Sequence, residues 1–304
     1  MDRQKVLAIV GPTGIGKTSL SVWLAKQLNG EIISCDSMQV YKKMDIGTAK
    51  VTQEEMQGIH HELIDVQNYN EPYNVKVFQE KCRTAIEDVV KRGKFPILCG
   101  GTGLYLKAAL YDYEFQEENE DIAYTTFLNS KTNEELVAML KEKDEKALEK
   151  IHPNNRKRLI RALQICHSGT SKSEQEDKQQ HIPLYDVYFL GLDVNREILH
   201  DRINKRVDIM FENGLVKEVE DLFTNPETWE YTSFQGIGYK EFKDYFLKEK
   251  SIDEVKTAIK THSRQYAKRQ YTWFKNQMPV HWFEAQNRDE IYKAVKEWLM
   301  DEDK

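Results

Sequence analysis

A chain of 304 residues with 44 Lys and Arg against 50 Asp and Glu carries a formal charge of −6, which excludes a uniformly basic nucleic-acid binder but not a local basic face. No apolar run approaches membrane-spanning length, and Met1-Asp2-Arg3-Gln4-Lys5 leads into a strand rather than a signal peptide, so a cytoplasmic protein without membrane contact is expected. Cys35, Cys82, Cys99 and Cys166 lie far apart in the chain, which argues against a disulfide framework or a zinc site and for buried thiols.

The first element is the most informative. VLAIVGPTGIGKTSL, residues 6–20, runs an apolar strand (5–10) into a glycine-rich turn and then into a helix (17–28) whose Leu20, Trp23, Leu24, Gln27 and Leu28 share one face. Gly11, Gly16, Lys17 and Thr18 meet the pattern G-x-x-x-x-G-K-[ST]. In that pattern the loop amides and the helix N-terminus face an anion, the lysine adds charge and the hydroxyl ligates Mg²⁺. Residues Gly11, Pro12, Thr13, Gly14, Ile15, Gly16, Lys17 and Thr18 are therefore the expected phosphate cradle, with Thr18 the expected metal ligand. The pattern does not say which phosphate it holds.

Strands are expected at 31–35, 62–66 and 95–99, alternating with helices at 52–58 and 74–92, which is the rhythm of a parallel sheet with crossover helices. Ligands of such sheets sit at the carboxyl ends of the strands. Asp36, after the second strand, thus faces the phosphate loop, either as a base or metal ligand or as a cap of the next turn. The fourth strand ends in Gly100-Gly101-Thr102, where the glycines permit close approach to a ligand and Thr102 offers a hydroxyl. An acidic metal- and water-positioning residue, common there in ATPases, is missing; Asp65 is the one substitute.

From Glu114 to Pro183 the chain turns charged and helix-prone, opening on the acidic run 117–121 and ending in a loop at 168–173 that reads as mobile. Residues 113–184 are read as a helical insertion. A further strand follows at 185–192, and 195–304 are read as helices returning to the core, so the core comprises 1–112 and 185–304. Two acid-free basic segments stand out. One is 150–161, with Lys150, Arg156, Lys157, Arg158 and Arg161; the other is 260–275, with Lys260, Arg264, Lys268, Arg269 and Lys275 among aromatics. Each is either a solvated helix face or a nucleic-acid surface. Arg202 and Arg206, four apart on one helix face, are placed to clamp a diphosphate or to form local ion pairs. The fold class is α/β: a P-loop NTPase-like parallel sheet flanked by helices, with an inserted, mainly helical domain.

Taken together, GPTGIGKT (11–18), DSMQVYKKMDIGTAK (36–50), GGTGLYLKAAL (100–110), HPNNRKRLIRAL (152–163), RINKRVDIM (202–210), GIGYKEF (236–242) and RQYAKRQYTWF (264–274) resemble the bacterial tRNA dimethylallyltransferase family over nearly the whole length. The resemblance implies transfer of a dimethylallyl group from dimethylallyl diphosphate to the exocyclic amine of adenosine 37 in tRNA, with release of diphosphate. The loop would then cradle a prenyl donor, with Mg²⁺ as cofactor and without ATP hydrolysis, although ATP could still occupy it weakly. By the same resemblance Asp36 accepts the amine proton, Thr102 places the adenosine or the donor, and Lys17 with Arg206 neutralises the departing diphosphate. It also implies tRNA contacts at Asp36, Ser37, Met38 and Gln39, at Thr102, at Lys157, Arg158, Leu159, Ile160 and Arg161, and at Gln235, Gly236, Ile237, Gly238, Tyr239 and Lys240. The insertion becomes a clamp for the anticodon stem-loop, and a monomer is expected. Two departures from the family pattern are Gly14, where alanine is common, and the absence of a basic residue in 121–126. A small-molecule or nucleotide kinase and a non-catalytic RNA binder are the rival readings of the same loop and sheet.

Overall fold

The computed structural model describes residues 3–115, 121–169, 171–174 and 181–301. Among these the chain forms two compact units, Met1–Tyr111 with Pro183–Lys304, and Asp112–Ile182. The acidic positions 117–120 and Thr170 lie outside the described residues.

The first unit is built on six parallel strands in the order β3-β2-β4-β1-β5-β6: β1 Lys5–Val10, β2 Gly30–Ser34, β3 His61–Glu62, β4 Phe95–Gly100, β5 Asp186–Asp193 and β6 His281–Glu284. Alternation along β1 divides the core. Val6, Ala8 and Val10 face one side with Ile33, Leu98 and Phe189; Leu7 and Ile9 face the other with Ile32, Ile97, Leu190 and Leu192. Both faces are apolar because helices cover both. Helices α1 (Lys17–Leu28) and α12 (Arg288–Met300) close the second side through Leu20, Leu24, Ile291 and Val295, and α3 (Val75–Lys91) closes the first through Phe78, Cys82 and Ile86. Parallel pairing sends every strand's carboxyl end to one edge, and that edge carries the loop after β1, Asp36 after β2 and Gly101 after β4.

Three expectations change. The strand expected at 62–66 stops at Glu62, because Leu63 and Asp65 adopt left-handed backbone (φ 62° and 56°) that no strand continues. The helix expected at 52–58 is one turn, α2 (Gln53–Met56), boxed by Thr52 and Glu55 and ended by left-handed Gln57 and Gly58. Residues 195–304 are not all helical: β6 pairs in parallel with β5 at the sheet edge, with only Trp282 and Phe283 half-buried, too short a signal for periodicity to register. The remaining helices of this unit are α4 (Gly103–Leu110), α8 (Arg196–Glu212), α9 (Leu215–Leu222), α10 (Lys243–Phe246) and α11 (Ile252–Gln277). Among the described residues no helix is long and apolar enough to cross a membrane. All four cysteines are free, Cys35 and Cys82 buried, Cys99 and Cys166 partly so.

The second unit packs α5 (Ile122–Asn129), α6 (Asn133–Asp144) and α7 (Arg156–His167) around Leu128, Leu136, Leu140, Leu159, Ala162 and Leu163. Arg156 serves that packing, donating to the carbonyls of Leu128 (3.3 Å) and Asn129 (2.8 Å) at the end of α5. The segment read as a mobile loop is anchored at Ser173, whose N–H and hydroxyl donate to Asp144 at 2.9 and 2.7 Å.

Candidate functional site

The loop after β1 arrives at α1 through Gly14 (φ 78°) and Gly16 (φ 105°), conformations that bend the backbone so its amides face inward. The first turn of α1 has neither an acidic residue nor a side-chain cap, so its N–H groups and its dipole are directed at the cavity above it. That cavity, about 620 Å³, is lined by Thr13, Gly14, Gly16, Lys17 and Thr18 on one side and by Asp36, Arg206, Tyr266 and Gln270 on the other. Of the eight cradle positions, Gly11 and Pro12 contribute carbonyls that accept from Lys17 Nζ (2.9 and 2.8 Å), and the Ile15 side chain is core.

Two cations flank one carboxylate. Burial pushes the Lys17 ammonium down to about 8, against the attraction of Asp36. Arg206 donates to Thr13 Oγ1 at 3.1 Å and to the Ala49 carbonyl at 3.2 Å; burial lowers its pKa while Asp36 raises it. Arg202, its partner in the expected clamp, reaches the Ile15 carbonyl at 3.5 Å and does not line the cavity. Asp36 does what the bland reading required as well: Oδ1 accepts from Met38 N (2.8 Å) and Gln39 N (3.3 Å), folding the 36–39 turn. The same carboxylate attracts both cations, Lys17 and Arg206, so Asp36 caps the turn and carries charge into the cavity.

A second cavity, about 390 Å³, shares Thr13, Asp36, Arg206 and Tyr266 with the first and extends to Met38, Gly236, Ile237 and Lys240. Asp36 therefore stands at the junction of two chambers, a charged one over the phosphate loop and a more apolar one beside the 235–240 loop.

Several expected site residues are placed differently. Thr102 lines neither cavity; its Oγ1 accepts from Ser37 N at 3.3 Å and it is hydrogen-bonded to the Tyr266 phenol, so it supports the Asp36 turn from behind. Gly100 and Gly101 line the first cavity and are also closely packed: a Cβ on Gly100 would lie 2.3 Å from the Cys35 carbonyl oxygen, and one on Gly101 2.0 Å from Gln270 Nε2. Asp65 is held by Lys50 at 2.6 Å, in an ion pair shared with Asp45. Of the expected tRNA contacts, the Leu159 and Tyr239 side chains are fully buried and Gly238 is buried with them; Ile160 packs on the helical core. Ser37, Met38, Gly236 and Ile237 are half-buried, and Gln39 bonds the Ala49 carbonyl at 3.1 Å. Lys157, Arg158, Arg161, Gln235 and Lys240 are exposed. In the second basic segment Lys260 pairs with Asp208 at 2.7 Å and Arg264 bonds Asn204 at 2.5 Å, leaving Lys268, Arg269 and Lys275 on the exposed face.

Two site residues lie within RQYAKRQYTWF (264–274), whose reading as a basic and aromatic segment gives neither a role of its own. Gln270 bridges the loop to β4, accepting from Thr13 N and donating to the Gly101 carbonyl, both at 2.9 Å. Tyr266, one helical turn before it, contacts Thr102 and Gln270, and burial pushes its phenol to about 12. Their spacing of four on α11, inside a segment otherwise basic and aromatic, is the signal that could have singled them out.

The family model for IPP transferase matches residues 39–277. The chain belongs to the IPP transferase family. It is 50% identical over 301 residues to a tRNA dimethylallyltransferase of Bacillus anthracis, covering 97% of this chain and 96% of that protein. Among solved structures, the tRNA isopentenylpyrophosphate transferase of Bacillus halodurans is 41% identical with a TM-score of 0.73, covering 98% of this chain and 97% of that one. A eukaryotic dimethylallyltransferase acting on tRNA is 32% identical with a TM-score of 0.81, covering 98% and 78%. Family membership weighs against the kinase reading: relatives that cover 97–98% of this chain, phosphate loop included, are named for tRNA dimethylallyl or isopentenylpyrophosphate transfer.

Proposed function

We propose that this chain transfers a dimethylallyl group from dimethylallyl diphosphate to the exocyclic amine of adenosine 37 of tRNA. The observation that carries this reading is the position of Asp36 on the shared wall of the two cavities, with Lys17 and Arg206 on the phosphate-loop side. The donor's diphosphate occupies the loop amides, and the adenine, splayed from the anticodon loop, enters the chamber beside Met38 and Ile237. The allylic C–O bond breaks and its electron pair leaves with the diphosphate, stabilised by Lys17, Arg206 and the α1 N-terminus. The amine lone pair forms the new C–N bond, and the amine proton passes to the Asp36 carboxylate.

Mg²⁺ is the proposed cofactor. The exposed Thr18 side chain and the Asp36 carboxylate on one cavity supply hard oxygen donors, which suits an ion that takes its other ligands from phosphate and water. When bound, the ion neutralises phosphate charge. The acceptor is held by Ser37 to Gln39, by the exposed Gln235 and Lys240 of the 235–240 loop, and by the exposed Lys157, Arg158 and Arg161 of the helical unit as a clamp on the anticodon stem. The substrate places the reaction in the cytoplasm, and a monomer suffices because one chain carries every group invoked.

The test is single-turnover transfer of radiolabelled dimethylallyl from its diphosphate to an unmodified tRNA transcript. Label in tRNA carrying adenosine at position 37, with one diphosphate released per transfer and none in a guanosine-37 transcript, is expected. Label in both transcripts would refute the acceptor assignment, and label in neither would refute the reaction.

A further inference from the structure

A half-buried carboxylate outside both cavities is the most heavily bonded acceptor near the site. Glu218, on α9, accepts three successive backbone amides: Oε2 takes Asp45 N (2.8 Å) and Ile46 N (2.7 Å), and Oε1 takes Gly47 N (3.0 Å). Oε1 also accepts the Tyr239 hydroxyl at 2.6 Å. Gly47 lies flat on the Tyr239 ring, where a Cβ would come within 2.6 Å of ring carbons. The turn so captured is stiff in itself, with Ala49 N bonded to Ile46 O and Lys50 N to Asp45 O, each 2.9 Å. Its far end is functional, because the Ala49 carbonyl receives Arg206, and Thr48 and Ala49 line both cavities. Tyr239 in turn belongs to the 235–240 loop, whose Gly236, Ile237 and Lys240 wall the second cavity.

We infer that Glu218 is a positioning residue: it fixes the 45–50 turn, so that the Ala49 carbonyl holds Arg206 over the phosphate loop, and through Tyr239 it ties that turn to the loop of the acceptor chamber. A carboxylate suits this role because only an acceptor-only group satisfies three amides and a phenol at once. A glutamine would turn an N–H₂ toward one of those donor pairs and release half of the clasp. Tyr239 works as the donor throughout, since burial and the adjacent Glu218 hold its phenol well above the usual range. The role in catalysis rests on the transfer reading above, whereas the effect on Arg206 does not.

The test therefore uses inorganic diphosphate with Mg²⁺, measured by calorimetry, beside single-turnover transfer. Glu218→Gln is expected to weaken diphosphate about tenfold, within the usual range of coupling between a positioning group and a site, and Tyr239→Phe about threefold. Glu220→Gln, an exposed neighbour on the same helix, leaves both measurements at parental values. In an Arg206→Lys background the Glu218→Gln effect on diphosphate should nearly vanish, because its target is gone. A purely structural Glu218 would instead lower the unfolding temperature while diphosphate affinity per folded molecule stayed parental, and that result overturns the inference. Should Glu218→Gln not fold, Tyr239→Phe decides alone: parental affinity rejects the clasp and threefold loss supports it. Absence of transfer by the parent would reject the reaction, and the diphosphate affinities would still judge Glu218.

Discussion

The sheet unit and the helical unit use charge in opposite ways. Around the phosphate loop, Lys17, Arg206 and Asp36 are each fixed by specific partners, and burial lowers the proton affinities of the two cations. On α7, Lys157, Arg158 and Arg161 stand exposed on a helix whose other face is a leucine core. In the proposed reaction the charges around the loop supply chemistry, in which loss of one group is severe, and the exposed charges supply tRNA affinity, in which each group adds a small increment that salt screens. Substitutions in the two units should therefore differ in size and in kind.

The largest effects belong to the loop. Lys17→Ala removes the buried cation that meets the diphosphate and is expected to reduce single-turnover transfer by on the order of a thousandfold, with tRNA affinity unchanged in a filter-binding assay. Asp36→Asn keeps an oxygen for the Met38 and Gln39 amides and loses proton acceptance together with the negative charge beside Lys17 and Arg206. It should slow transfer on the order of a hundredfold without altering the unfolding temperature. An unfolding transition moved by several degrees would mean that the turn, not the base, was lost.

Next come the residues that shape the loop. Gln270→Ala leaves Thr13 N–H and the Gly101 carbonyl buried without their partner, and should cost about 1–3 kcal/mol by denaturant unfolding. Gly14→Ala tests a family-level departure. A Cβ there sits 3.0 Å from Ile203 Cγ1 on a backbone at φ 78°, so in this chain alanine should destabilise by about 1 kcal/mol. A transfer rate within about twofold of the parent, a change of only ~0.4 kcal/mol, would show that this position affects stability more than chemistry.

Proton linkage gives a smaller and sign-definite effect. With Lys17 lowered to about 8 by burial, its charge is complete in the free protein near neutrality and is lost as pH rises through that value. The ratio of diphosphate affinities, parent over Lys17→Arg, cancels the ligand's own titration and should fall between about pH 7 and pH 9. A ratio that rises or stays flat would place the lysine outside the cradle. Smallest is the helical unit: Lys157→Glu with Arg158→Glu should lower the slope of log affinity for tRNA against log salt by about two, leaving the transfer rate at saturating tRNA intact. An unchanged slope would make α7 a solvated face.

What the sequence conveyed follows the range over which each signal acts. The cradle was legible because all its determinants, strand, turn, lysine and helix, are contiguous in 11–18. Asp36 was legible because parallel strands send their carboxyl ends to one edge. Gln270 and Glu218 were not, because the groups Gln270 bridges lie 257 and 169 residues away and the three amides Glu218 accepts lie more than 170 away, and only the folded chain joins them. Thr102 sits where the GGTG stretch puts it, at the end of β4, but its hydroxyl bonds Ser37 and Tyr266, partners that only the packing of α4 and α11 supplies. Leu159 and Tyr239 lie in segments expected to contact tRNA, yet both side chains belong to the core, which a motif read residue by residue does not reveal. The strand at His281–Glu284 escaped because four residues at a sheet edge carry too little pattern to separate from the helices around them.

The central claim is that a loop shaped for nucleotide phosphates serves a prenyl donor here. It is tested most directly by one paired turnover experiment with purified protein, Mg²⁺ and unmodified tRNA, in which dimethylallyl diphosphate and ATP are offered separately and together. The expected result is stoichiometric diphosphate release and prenylated tRNA from the first substrate, inhibition by added inorganic diphosphate, and no ATP cleavage above the protein-free rate. Sustained ATP cleavage without prenyl transfer would contradict it.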